Sequence, residues 1–92
     1  MEEKKILVLG RRDHTEAMRV AAGLTIFGHE VRLVFMTEPV ADSEANAEQA
    51  ELLELSDIVP ETTVAEMGED LTLLDAAALG QAISKADRVV SI

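Results

Sequence analysis

KILVLGRRDHTEAMRVAAGLTIFGHEVRLVFM, Lys5–Met36, decides the fold. After its lysine, the run to Leu9 is apolar without a break and stops at Gly10. A strand with no polar face is covered on both sides, which is the habit of parallel sheets. Asp13 to about Phe27 then reads as a helix, with Ala17, Val20, Ala21, Leu24 and Phe27 on one face at helical spacing. Asp13 can cap it, and Glu16 three residues on can reach back in a capping box. Gly28 ends it, as a glycine just past a helix often does. Val31–Met36 is a second apolar strand, interrupted only by Arg32 and broken by Thr37, Glu38 and Pro39.

Beyond this unit the pattern continues. Ser43 to Leu55 predicts a second helix, with Glu44, Glu48 and Glu51 outside and Leu52, Leu53 and several alanines inside. That acidic stripe has no basic partners, so packing must hold the helix. Around Pro60 the pattern weakens, and Thr62–Ala65 is a weak strand candidate. A third helix is expected from about Leu73 to Lys85, capped by Thr72 with Asp75 answering, and with Leu79, Ala82, Ile83 and Ala86 in one stripe. Gly80 within it implies a close packing contact, because glycine costs about 1 kcal/mol against alanine in a helix. Arg88–Ile92 closes the chain as a strand. Strands alternating with helices imply right-handed crossovers. The expected fold is a small three-layer α/β/α domain over residues 1–92, with a mainly parallel sheet of four to five strands.

Composition narrows the function. The chain has 92 residues, 48% hydrophobic, and only two aromatics, Phe27 and Phe35, so its core is aliphatic. A domain this small often hides remaining apolar surface in an oligomer. There is no cysteine. Disulfides, thiolate metal sites and thiol chemistry by this chain are thereby excluded. The apolar run behind the charged N-terminus is too short for a signal peptide or a membrane helix, and a cytoplasmic setting is expected. The net charge of −10 is uneven: residues 1–36 balance to +1, whereas residues 37–92 carry thirteen acids against Lys85 and Arg88. Nucleic-acid binding on a broad face is disfavoured by repulsion. The acidic part suits solubility or a basic protein partner.

The motifs exclude more than they assign. The G-x-G-x-x-G of dinucleotide folds lacks its second and third glycines here, because Gly10 is followed by Arg11, Arg12, Asp13 and His14. No P-loop is present. His14 and His29 stand near opposite ends of the first helix, so no metal site is expected, and no cofactor is implied. Arg11, Arg12 and His14 form the best chemical cluster. They fall at the carboxyl edge of the sheet, where open α/β folds bind ligands and a helix N-terminus attracts anions. The competing reading is a solvated turn in which Asp13 caps the helix.

The close of the chain carries a resemblance. VAEMGEDL followed by LLDAAALGQAISKADRVVSI is similar to the end of the DsrE/DsrF-like sulfur-relay family. The matching features are Asp70-Leu71, Gly80, and Ala86-Asp87 before Val89–Ile92. With ILVLG and EVRLVFM, the resemblance spans nearly the whole chain. It implies a layered parallel-sheet fold assembled into homo-oligomers or with related subunits. Active members hold sulfur on a cysteine after a strand that Val64-Ala65 matches, which puts Glu66 or Met67 in the cysteine position. Neither accepts sulfane sulfur, although the Glu66 carboxylate could bind a cation or pair with Arg11 or Arg12. The resemblance therefore implies a cysteine-free binding or scaffold subunit, connected with sulfur metabolism and not itself a carrier. Its expected ligand edge is Arg11, Arg12, His14, Thr37, Glu38 and Glu66, open to a small anion. The alternative is a small enzyme or an anion- or nucleotide-binding protein using the same edge, with His14 as acid or base.

Overall fold

The computed structural model describes residues 3–92. Its elements are β1 (Lys5–Gly10), α1 (His14–Ile26), β2 (Glu30–Phe35), α2 (Glu44–Leu55), β3 (Glu61–Thr62), β4 (Thr72–Leu73), α3 (Ala76–Lys85) and β5 (Arg88–Ser91), with one 3-10 turn at Ala65–Met67. The five strands form one sheet in the order β4-β3-β2-β1-β5, and every pair is parallel. The expected α/β class and parallel sheet are present.

Alternation along β1 and β2 divides the core. Ile6, Val8, Leu33 and Phe35 face Ala17, Met18, Ala21 and Ala22 of α1 and Leu53 of α2. Leu7, Leu9 and Val34 face Ala82 of α3, flanked by Leu79 and Ala86. The chain moves outward through β1, β2, β3 and β4 with α1 and α2 on the first face. It then crosses back under the sheet through α3 to place β5 beside β1. Right-handed crossovers require this change of face when the direction of travel reverses.

Several local expectations are corrected. The second half of the capping box is not made, because the Glu16 carboxylate pairs with Arg19. The buried face of α1 is rotated: Met18 and Ala22 are inside, while Phe27 is 69% exposed. The weak strand stops at Thr62, and Ala65 begins the 3-10 turn. Thr72 does not cap α3. It lies in β4, and Asp75 caps the helix by accepting from the Ala78 amide at 2.7 Å. Gly80 makes no close contact, since a Cβ built there meets nothing within 4 Å. Close approach is instead found at Gly10, where a Cβ would lie 3.1 Å from Ala17 Cβ and 3.3 Å from Phe35 Cδ1, and at Gly68, where it would lie 3.2 Å from the Ala65 carbonyl oxygen.

The two-residue strand β3 is secured by one hydroxyl. Thr62 is fully buried; its Oγ1 donates to the Phe35 carbonyl at 3.0 Å and accepts from the Val64 amide at 2.9 Å. The backbone adds Thr63 N–H to the Phe35 carbonyl and Leu74 N–H to the Thr62 carbonyl. Beyond β3 the connection is only a 3-10 turn, so no third helix covers the first face at the β4 side.

Candidate functional site

The carboxyl edge of the sheet is built by the turn after β1, the loop after β2 and the first turns of α1 and α2. Asp13 caps α1 by accepting from the Glu16 amide at 3.0 Å. Its φ of −120° keeps it extended while His14 enters the helix. Ser43 caps α2 in the same way, from the Asn46 amide at 3.2 Å. Both caps satisfy amides that a helix leaves without partners.

His14 is buried, at 8% exposure. Its Nε2 donates to the Met36 carbonyl at 3.1 Å, and its ring meets Phe35 edge-on with centroids 5.4 Å apart. A carbonyl only accepts, so this contact requires the proton on Nε2. The side chain acts as a clamp between α1 and the end of β2. After that clamp the chain turns sharply: Thr37 has φ 79°, in the left-handed region, which a β-branched residue rarely occupies.

The turn Arg11–Asp13 closes on the end of β5. The amides of Arg11, Arg12 and Asp13 all donate to the Ile92 backbone oxygen, at 3.2, 2.8 and 3.3 Å. Three successive amides converging on one oxygen form an anion-binding concavity. Here the chain's own oxygen fills it. The Arg11 and Arg12 side chains remain exposed around a recess of about 330 Å³ with Ser91 and Ile92.

A second recess, of about 280 Å³, brings Arg12, His14 and Glu38 together with Thr15 and Asn46. Thr15 Oγ1 hydrogen-bonds Asn46 Oδ1, and Asn46 Nδ2 donates to the Ala41 carbonyl at 2.8 Å. This α1–α2 link was not anticipated from sequence. Its only trace there is a lone asparagine among alanines on the inner side of a helix. Of the six expected residues, Arg12 lines both recesses, Arg11 only the first, and His14 and Glu38 only the second. Thr37 supplies the turn, and Glu66 sits apart on the 3-10 turn, lining neither.

Glu66 pairs with neither Arg11 nor Arg12. The ion pairs among the described residues are Arg19–Glu16 and Arg32–Glu61. In the second, the Arg32 guanidinium donates to both Glu61 oxygens at 3.0 and 2.9 Å, which raises its pKa. Among the described residues no group of three or more His, Asp or Glu is placed to hold a metal. Among them, too, no helix is long and apolar enough to cross a membrane. No family model, curated protein or solved structure matches this chain.

Proposed function

We propose that this chain is a cysteine-free DsrE-like protein serving as a non-catalytic binding or scaffold subunit of an oligomer, connected with sulfur metabolism. The observation that carries the reading is how the strand-end edge is used. His14, the residue read from the sequence as acid or base there, spends its ring on Met36 and Phe35, and three amides suited to an oxyanion spend theirs on Ile92. A thiol nucleophile is also wanting, because the chain encodes no cysteine. Meanwhile Ile26, Phe27, Leu55 and Val59 lie exposed, which favours association as the way to cover them.

Two measurements test this. Sedimentation of the pure protein at micromolar concentration should show self-association, or a related subunit should co-purify. A monomer that captures no subunit would remove the proposal. Incubation with a cysteine desulfurase and radiolabelled cysteine should leave no covalent label, because a persulfide needs a thiol. A denaturation-resistant label stripped by reductant would overturn the non-carrier role.

A further inference from the structure

The first face of the sheet is incompletely covered. α2 leans on α1, and the short β3–β4 connection leaves the sheet beyond α2 without a helix. The result is an open groove of about 460 Å³. Buried Met18, Phe35, Leu53 and Ile58 form its floor, half-buried Met67 and Leu71 its wall, and Val59, 80% exposed, stands at its rim. Methionine and leucine walls adapt readily to an inserted apolar side chain.

The segment that supplies most of the groove's wall is acidic. Residues 37–84 contain twelve Asp or Glu and no Lys, Arg or His. Glu54 lines the groove directly. Asp57, Glu66, Glu69 and Asp70 are exposed on the segments that carry Ile58, Met67 and Leu71. Among the described residues, none of these five carboxylates takes part in an ion pair. An apolar floor under an uncompensated acidic rim is complementary to one kind of object: an amphipathic helix whose apolar face carries anchors at helical spacing and whose flanks are Lys and Arg. A fatty-acid carboxylate or a nucleotide would meet repulsion at the rim. A second copy offers no such helix, since α3 carries only Lys85, and the one base of α1, Arg19, pairs with Glu16.

We infer that this groove docks a basic amphipathic helix of a partner protein. The inference rests on the binding-subunit reading and names the partner's chemistry. A protein that self-associates yet ignores such a helix would sink this inference alone.

The probe is a fluorescent peptide of leucine and lysine, patterned so that all leucines share one helical face, titrated into the full chain. The control is the same composition scrambled to destroy that face. The patterned peptide should bind in the micromolar range and the scrambled one about tenfold more weakly or worse. Glu54→Lys with Asp70→Lys should weaken binding about tenfold. Glu44→Lys with Glu48→Lys makes the same charge change on the outer side of α2 and should weaken it far less. Val59→Ser, at a site 80% exposed, should also weaken it. On methyl-labelled methionine, saturating peptide should shift Met18 and Met67 and spare Met36, which packs on the other face. Equal binding of both peptides, equal loss from both charge pairs, unchanged binding by Val59→Ser, or shifts at Met36 without Met18 and Met67 would overturn the inference.

Discussion

His14 Nε2 donates to the Met36 carbonyl across 3.1 Å, joining the first residue of α1 to the residue that follows β2. The same carbonyl also accepts from the Glu38 amide at 3.0 Å. One oxygen thus holds both the helix start and the turn through Thr37. This makes His14 part of the frame around the edge, although its residue type first suggests chemistry.

Replacing His14 with phenylalanine separates the hydrogen bond from the packing. The ring keeps its place against Phe35, and the Met36 carbonyl keeps its Glu38 partner. His14→Phe should therefore cost about 0.5–1.5 kcal/mol, the net worth of one hydrogen bond. Urea unfolding at constant pH measures it. A variant as stable as wild type would mean that the contact holds nothing.

The start of α3 can be located by its cap. Asp75→Ala removes the acceptor of the Ala78 amide and should cost about 0.5–2 kcal/mol. Thr72→Ala, at an exposed position of β4, should stay within about 0.5 kcal/mol of wild type. Denaturant midpoints of the two variants decide between them. The reverse order would restore Thr72 as the cap and move the helix three residues back.

Sequence patterning shows why this distinction had to come from structure. Lys5–Met36 was legible because a strand buried on both faces, a cap at Asp13 and a glycine stop at Gly28 all agree. The start of α3 was not, although its end at Lys85 was, because Thr72 and Asp75 are both good caps and local chemistry cannot choose between them. β4 was invisible, since two residues carry no period. Its place follows from long-range pairing with β3, where Thr62 supplies the hydroxyl. At the candidate site, the sequence puts Arg11, Arg12 and His14 on one turn, and the fold divides them between two recesses that share Arg12. Their engagement was not legible, because Ile92 and Met36, which satisfy the turn and the ring, lie far along the chain. The groove beside α2 was illegible for a related reason: it exists where a covering helix is missing.

Two glycines give opposite expectations. Gly10→Ala would push a Cβ to 3.1 Å from Ala17 Cβ, a tight contact between a buried strand end and a buried helix. It should destabilise by about 1–3 kcal/mol, as overpacking does. Gly80→Ala meets nothing within 4 Å on an exposed helical face. It should stabilise by about 0.5–1 kcal/mol through helix propensity. Thermal melts of both variants test the pair. A destabilising Gly80→Ala would show that the position is packed against a partner in solution.

The two roles open to the strand-end turn, helix entry and anion binding, make different demands on the backbone. An anion bound at Arg11–Asp13 needs the turn's amides as well as the guanidinium groups. The amides already converge on the Ile92 oxygen at 2.8–3.3 Å, and Asp13 sets a carboxylate at the helix start. Only two exposed, solvated side chains are left to attract an anion, and exposed charges attract weakly in salt. Arg11→Ala with Arg12→Ala should therefore leave stability within about 0.5 kcal/mol of wild type. The two proteins should also respond equally to millimolar sulfate or phosphate in melts at constant ionic strength. A stabilisation by anion that wild type shows and the double variant loses would mean that the Ile92 oxygen yields its place and that the edge binds the anion.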